Sequence, residues 1–133
     1  MLRAINEARA TQRNCGNTAK SAAPAVVWND KLFVASASHS NDMVQRNYFN
    51  HNNPDGVSPS QRVTAAGYQF GITGENIAAG QIGIASVMSA WLGSPGHCNS
   101  IMEKSFVDVA VACVATTQAS YRTYWTMELA APQ

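Results

Sequence analysis

The chain has 133 residues, of which 46% are hydrophobic and 13% charged, and its formal net charge is +1 at pH 7. This length and composition predict one domain, residues 1–133, with a buried core. The chain has no run of like charges, which argues against nucleic acid or an anionic membrane as a partner. No stretch approaches the roughly 20 apolar residues of a membrane span. Polar residues follow Met1-Leu2-Arg3, so a signal peptide, if the protein is exported, would be absent from this sequence.

Four stretches of the chain show the residue spacing of amphipathic helices. They run from Leu2 to about Asn14, from a cap at Asn29 or Asp30 to about Asn47, from Ser58 to Gly67, and from Ile82 to Leu92. Near the C-terminus the pattern changes to alternation, which predicts strands at 106–114 and 121–129 joined by a hairpin connection at 116–120. Helices followed by an antiparallel pair predict an α+β fold in which helices cover a small sheet.

Three cysteines allow one disulfide and leave one free thiol. Cys15 and Cys98 both lie in loop-like contexts, so we expect these two to pair. Cys113 follows Val109-Ala110-Val111-Ala112, a context that favours a small buried side chain. The three tryptophans, Trp28, Trp91 and Trp125, likewise have apolar neighbours and are expected in the core rather than lining a ligand groove.

Two histidines and one carboxylate lie in turn-rich segments. His51 comes just before Asn53-Pro54 and Asp55-Gly56, and His97 follows Pro95-Gly96. Glu75 lies in an otherwise apolar segment, where a carboxylate must be paired, hydrogen-bonded or bound to metal. We expect all three on loops around one cleft. His39, on the buried face of the second helix, is expected to be a hydrogen-bonded core histidine and not a ligand.

If His51, Glu75 and His97 converge, two imidazoles and one carboxylate can hold zinc and leave a position open for water or substrate. The same cluster could instead only brace the surrounding loops. A nucleophile at Ser94 or Cys98 is less favoured, because Ser94 fits a turn and Cys98 a disulfide.

Several motifs, in order along nearly the whole chain, resemble the CAP superfamily, which comprises cysteine-rich secretory proteins, antigen 5 and pathogenesis-related 1 proteins. The resemblance is to its short bacterial branch. The matching segments are 6–9, 28–32, His39-Ser40 with Met43, Phe49-Asn50-His51, Gly74-Glu75-Asn76-Ile77, Trp91, Ser94-Pro95-Gly96-His97 and Ile101-Met102. The resemblance implies a three-layer α-β-α sandwich and a secreted protein, in the periplasm or at the cell surface.

The resemblance also implies that His51, His97 and Glu75 are cavity residues. In longer members a second acid lies three residues after the tryptophan, where this chain has Ser94. We therefore expect a secreted, non-enzymatic binding protein that takes up zinc or another divalent metal, with a small ligand, lipid or peptide in the cleft or a protein partner. Two alternatives stay open: a metal-dependent peptidase or esterase with Glu75 as general base, and a carrier of sterols or fatty acids.

Overall fold

The structure, a computed structural model, describes residues 1–133 and contains five helices and six strands. The helices are α1 (Leu2–Arg9), α2 (Asp30–Arg46), α3 (Pro59–Ala65), α4 (Ile84–Leu92) and α5 (Pro95–Ile101). The strands are β1 (Arg13–Cys15), β2 (Thr18–Lys20), β3 (Val27–Trp28), β4 (Phe70–Ala79), β5 (Asp108–Ala115) and β6 (Thr123–Pro132). None of the helices combines the length and the apolar character that crossing a bilayer requires.

Four of the strands form the central sheet in the order β3-β5-β6-β4. β6 pairs antiparallel with both β5 and β4, whereas the two-residue β3 runs parallel to β5. The hairpin predicted between the last two strands is confirmed. In this order β4 is an edge strand, and its register places Glu75 directly opposite Glu128 of β6.

Helices cover both faces of this sheet, as the alternating contacts of successive residues in β5 show. Val109 and Val111 belong to one apolar cluster together with residues of α1, α4 and α5, while Ala110 between them packs with Leu32 of α2 and Val63 of α3. Successive strand residues point to opposite faces, so each face receives its own layer. This confirms the α+β class and the three-layer sandwich that the resemblance implies.

The two helices that precede the candidate site begin at side-chain caps. Asn29 accepts hydrogen bonds from the main chain of Lys31 and Leu32, and Ser58 and Gln61 form a reciprocal capping box at the start of α3. Of the two candidates for the cap of the second helix, Asn29 is the cap, and the start expected at Ser58 for the third helix is confirmed. α2 ends at Asn47, which takes the left-handed conformation with φ of 49°, and there the chain turns toward His51.

The disulfide predicted between Cys15 and Cys98 is present and joins the small β1–β2 hairpin to α5. Two expectations of burial are wrong. Cys113 is an exposed free thiol near the C-terminal end of β5. Trp28 is also exposed, on the edge strand β3, where its ring packs at 5.8 Å from that of Phe33, whereas Trp91 and Trp125 are buried as expected.

Two of the three candidate residues do not lie on loops. Glu75 lies within β4, although glycine, asparagine and glutamate are weak strand formers, because pairing along β6 determines the conformation of this segment. His97 lies in the first turn of α5. Pro95 occupies the start of that helix, where its fixed φ and missing N–H are tolerated. Only His51 is on a loop.

Candidate functional site

The centre of the candidate site is the carboxylate of Glu75, whose side chain is only 2% exposed. Its Oε1 lies 2.7 Å from His51 Nδ1, and its Oε2 lies 2.7 Å from Arg62 Nη2. Burial by itself raises the pKa of Glu75, but the hydrogen bonds from His51 and Glu128 and the charge of Arg62 lower it to below its usual value. Glu75 is therefore held as a carboxylate, which confirms that a charge in this segment must be paired.

The contact with Glu75 fixes the orientation of the His51 ring. A carboxylate only accepts hydrogen bonds, so Nδ1 of His51 carries the proton and donates it. The imidazole is 48% exposed at its side chain, and Nε2 makes no hydrogen bond within the protein. In the neutral ring this Nε2 has a free lone pair that is available to a ligand.

Arg62 joins the loop that carries His51 to the edge strand. From α3, its Nη2 donates to the main-chain carbonyl of His51 at 2.8 Å as well as to Glu75, and Nη1 donates to the carbonyl of Val57 at 3.2 Å. Its side chain is 7% exposed, so the ion pair with Glu75 is shielded from water. Such a buried pair contributes little net stability but is costly to break on one side.

A second carboxyl group, Glu128 of β6, lies opposite Glu75 and is fully buried. Neither of its oxygens receives a hydrogen bond from a protein donor. Burial first, and then the hydrogen bond and charge of Glu75, raise the pKa of Glu128 well above its usual value. A protonated Glu128 beside the Glu75 carboxylate is consistent with this raised pKa, since two adjacent buried carboxyls cannot both ionise.

His97 approaches from the opposite side of the sheet. Its carbonyl accepts a hydrogen bond of 3.1 Å from the side chain of Asn76, the neighbour of Glu75 in β4. Burial, followed by the charge of His51, lowers the pKa of His97, so the ring is neutral at pH 7 and its lone pair is available. Ser94, the other expected cavity residue, begins α5 without a side-chain cap bond.

His39 is the core histidine that the sequence predicts. It is fully buried, and its Nε2 donates to the carbonyl of Asn50 at 2.8 Å, which positions the main chain next to His51. Burial is the main cause of its lowered pKa. A cleft of about 370 Å³ lies between α2 and the turn after His51; its lining is Ser38, His39, Asn41, Asp42, Gln45, Asn53, Val57 and Arg62. The lining is polar apart from Val57.

The arrangement presents two imidazoles, one of them oriented by a carboxylate. The structure groups no three His, Cys, Asp or Glu side chains in a metal-holding arrangement, and both oxygens of Glu75 are already engaged. Zinc binding through His51 and His97 therefore stays a prediction, with Glu75 better placed to orient His51 than to act as a ligand.

The sequence interpretation missed two residues of this cluster, Arg62 and Glu128. Both carry a signal: Glu128 is the single charge in the apolar and aromatic run 123–130, and Arg62 lies beside Val63 on the helix face that packs on the sheet. A charge within an apolar pattern indicates a partner nearby. The second carboxyl of the cluster comes from Glu128 and not from position 94.

Two curated proteins of Bacillus subtilis strain 168 are similar to this chain in sequence. YkwD is 34% identical over 86 residues, which cover 65% of this chain and 34% of YkwD. The membrane protein YlbC is 27% identical over 84 residues, which cover 63% of this chain and 24% of YlbC. The chain thus matches about a third of one relative's length and about a quarter of the other's.

Solved structures share the fold. An extracellular protein of Bacillus anthracis that contains an SCP domain matches with a TM-score of 0.71 and 26% identity, over 81% of this chain and 34% of that one. An outer surface protein of Borrelia burgdorferi matches with a TM-score of 0.75 and 20% identity, over 84% and 80% of the two chains. The venom allergen-like protein 4 of Schistosoma mansoni matches with a TM-score of 0.64 and 13% identity, over 98% and 83%.

The sequence pattern described as the cysteine-rich secretory protein family, CAP, matches residues 2–129. The match includes every residue of the cluster around Glu75 and nearly the whole chain. This chain belongs to the CAP family.

Proposed function

We propose that this chain is an extracellular binding domain that binds a divalent metal through His51 and His97, and that this metal is zinc. The observation that carries the proposal is the 2.7 Å hydrogen bond between Glu75 Oε1 and His51 Nδ1. Histidines that bind metal commonly donate their other ring N–H to a carboxylate, which fixes the tautomer and raises the basicity of the ligating nitrogen. Glu75 accepts such a hydrogen bond from His51 and so holds the ring in the tautomer whose Nε2 can bind a metal.

The electrostatics of the cluster support the proposal. Arg62 pairs with Glu75, and burial beside Glu75 raises the pKa of Glu128 well above its usual value, which favours the neutral form of Glu128 and a buried cluster without net charge. His97 is kept neutral by burial, and a neutral imidazole is the form that binds metal. When bound, zinc would polarise a ligand or water at a position that the two histidines leave open.

The disulfide supports an extracellular location, because such bonds persist in oxidising compartments. The similar protein of Bacillus anthracis is described as extracellular. The hydrolase alternative has weaker support: both oxygens of Glu75 are hydrogen-bonded and its pKa is lowered, which makes it a poor general base. The polar lining of the 370 Å³ cleft gives no support to a lipid carrier.

Calorimetric titration of zinc tests the proposal. The exposed thiol of Cys113 can bind zinc by itself, so the titration uses Cys113→Ser as the parent protein. We expect one equivalent of zinc to bind with micromolar or tighter affinity, and we expect His51→Ala and His97→Ala each to abolish binding while circular dichroism shows an intact fold. A folded parent protein that binds no zinc would contradict the proposal and leave the cluster as a brace for the loops.

A further inference from the structure

Some main-chain N–H and C=O groups of the edge strand β4 point away from the sheet. Gly80 N–H donates to the carbonyl of Thr123 in β6, whereas the carbonyl of Ile77 accepts a 3.0 Å hydrogen bond from the Trp91 indole in α4. Main-chain groups of a strand alternate between its two sides. The N–H and C=O of Thr73 and Glu75, which lie four and two residues before Ile77, therefore point away from β6.

These four main-chain groups have no main-chain partner, and both residues are partly exposed. No loop or helix main-chain group bonds to Thr73 or Glu75 on this side. Glu75 is partly exposed as a residue although its side chain is 2% exposed, so its accessible surface lies in the main chain. The neighbouring Gly71 and Ile72 are exposed as well, with Ile72 at 40%. An accessible row of unpaired strand groups is a template for another extended chain.

This free edge lies between the two histidines. The side chain of Glu75 contacts His51 on one face of the sheet, and the side chain of the next residue, Asn76, contacts the carbonyl of His97 on the other face. Successive residues of a strand point to opposite faces. A segment that pairs with the edge at Thr73–Glu75 therefore runs beside the part of β4 whose two faces contact His51 and His97.

We propose that this edge binds an extended peptide of a partner protein by strand addition, with Thr73 and Glu75 supplying the main-chain hydrogen bonds. The proposal names a ligand class for the site at His51 and His97 and rests on the proposed function for that site. Strand residues rise about 3.4 Å each, so Thr73 and Glu75 repeat their donor and acceptor at about 6.8 Å. Only an extended polypeptide offers the complementary repeat, and its side chains then reach the two histidines.

The paired stretch is short. Toward the C-terminal end of β4 the Trp91 indole occupies the carbonyl of Ile77, and toward the N-terminal end the register shifts between Phe70 and Ile72. These limits leave Thr73 and Glu75 as the pairing residues. Proline at position 73 is a suitable probe, because it removes an N–H that faces outward and leaves the bonds to β6 in place.

The test uses a pool of synthetic nine-residue peptides of randomised sequence and three forms of the protein: the parent, Thr73→Pro and Thr73→Val. Both variants lose the Thr73 hydroxyl bond to the Leu129 carbonyl, but only the proline variant loses the edge N–H. We expect selected peptides to bind Thr73→Val like the parent and Thr73→Pro about tenfold more weakly, as for one lost hydrogen bond of about 1.4 kcal/mol. Circular dichroism checks the fold of each variant.

Amide hydrogen exchange of the parent protein gives an independent measurement should the proline variant not fold. We expect bound peptide to slow exchange at Thr73 and Glu75 and to leave exchange at exposed amides elsewhere unchanged. The proposal is overturned if no peptide binds, or if peptides bind without slowing these two amides. Zinc titration of Thr73→Pro in the Cys113→Ser background separates the two proposals: zinc binding by this variant together with lost peptide binding supports both, and peptide protection in a parent protein that binds no zinc supports strand addition alone.

Discussion

The two carboxylate oxygens of Glu75 accept hydrogen bonds from a histidine that faces solvent and from an arginine that does not. The side chain of His51 is 48% exposed and that of Arg62 is 7% exposed, so the two partners have different roles. Arg62 compensates the buried charge of Glu75. Glu75 therefore stays paired when the His51 ring binds or releases a ligand. Arg62 thus offsets the cost of burying the carboxylate of Glu75, and the exposed ring of His51 is available to a ligand.

Glu128 should make the stability of the protein depend on pH. Its folded pKa lies above the unfolded value near 4.5, so its contribution is fully present below pH 4.5 and is lost as pH rises toward the folded pKa. Each pH unit in that window costs about 1.4 kcal/mol. We expect Glu128→Gln, which stays neutral and can donate to Glu75, to gain stability relative to the parent as pH rises from 4 to 8.

Urea unfolding at several pH values measures this difference. The control is Glu7→Gln, whose side chain is 71% exposed, and its difference from the parent should not vary with pH by a comparable amount. A stability difference for Glu128→Gln that is the same at pH 4 and pH 8 would show that Glu128 is not held protonated in the folded protein.

At the level of single residues, the sequence identifies what is unusual in its local surroundings. His51, Glu75 and His97 stand out because turns or apolar neighbours surround them. Glu128 and Arg62 were missed because their role depends on the register of β4 against β6 and on the packing of α3. No local pattern encodes which strand residue lies opposite Glu75.

Among the elements, the β1–β2 hairpin and α5 form one unit held by the disulfide. Gly16 in this hairpin has φ of +62°, and a Cβ added there would lie 2.9 Å from Cγ of Pro95 at the start of α5. Both the conformation and the close approach therefore require glycine.

We expect Gly16→Ala to lower the free energy of unfolding by about 1–2 kcal/mol from backbone strain and by a further amount from the contact with Pro95. Gly56→Ala is the matched control, because Gly56 also has positive φ, at +81°, but open space around its Cβ position. Chemical denaturation of both variants measures the two contributions. Equal losses of unfolding free energy in the two variants would mean that the β1–β2 hairpin shifts to accommodate the added Cβ and that its contact with α5 does not constrain it.

Elements with a strong local pattern were predictable, and those that depend on distant pairing were not. α2 and α3 carry caps that the sequence shows directly. β4 contains Gly71 and Gly74 and no alternating pattern, so only its pairing with β6 makes it a strand. β1, β2 and β3 have two or three residues each, too few for a period to be seen.

For the whole molecule, the disulfide is the covalent cross-link between the N-terminal part of the chain and α5. Cys15 and Cys98 are 83 residues apart in sequence and both are buried. In the chain-entropy account, closing a loop of this length stabilises the folded state by about 4–5 kcal/mol. The bridge also fixes α5, and with it His97, against the N-terminal part of the chain.

We expect Cys15→Ala with Cys98→Ala to lose about 4 kcal/mol of unfolding free energy, measured by urea denaturation of the oxidised parent and the double variant. Cys113→Ser is the control and should unfold like the parent, because this thiol is free and exposed. A double variant within about 1 kcal/mol of the parent would show that the unfolded state does not gain the expected freedom.

We propose that Glu75 orients His51 so that His51 and His97 together bind a ligand such as zinc. Long-range proton–nitrogen NMR spectra of the imidazole rings test it most directly, in the Cys113→Ser protein at pH 7. We expect His51 to carry its proton on Nδ1 before zinc is added. We also expect the ring nitrogens of His51 and His97 to shift together up to one equivalent of zinc, while the buried His39 stays unchanged. A His51 proton on Nε2, or rings that do not respond to zinc, would contradict it.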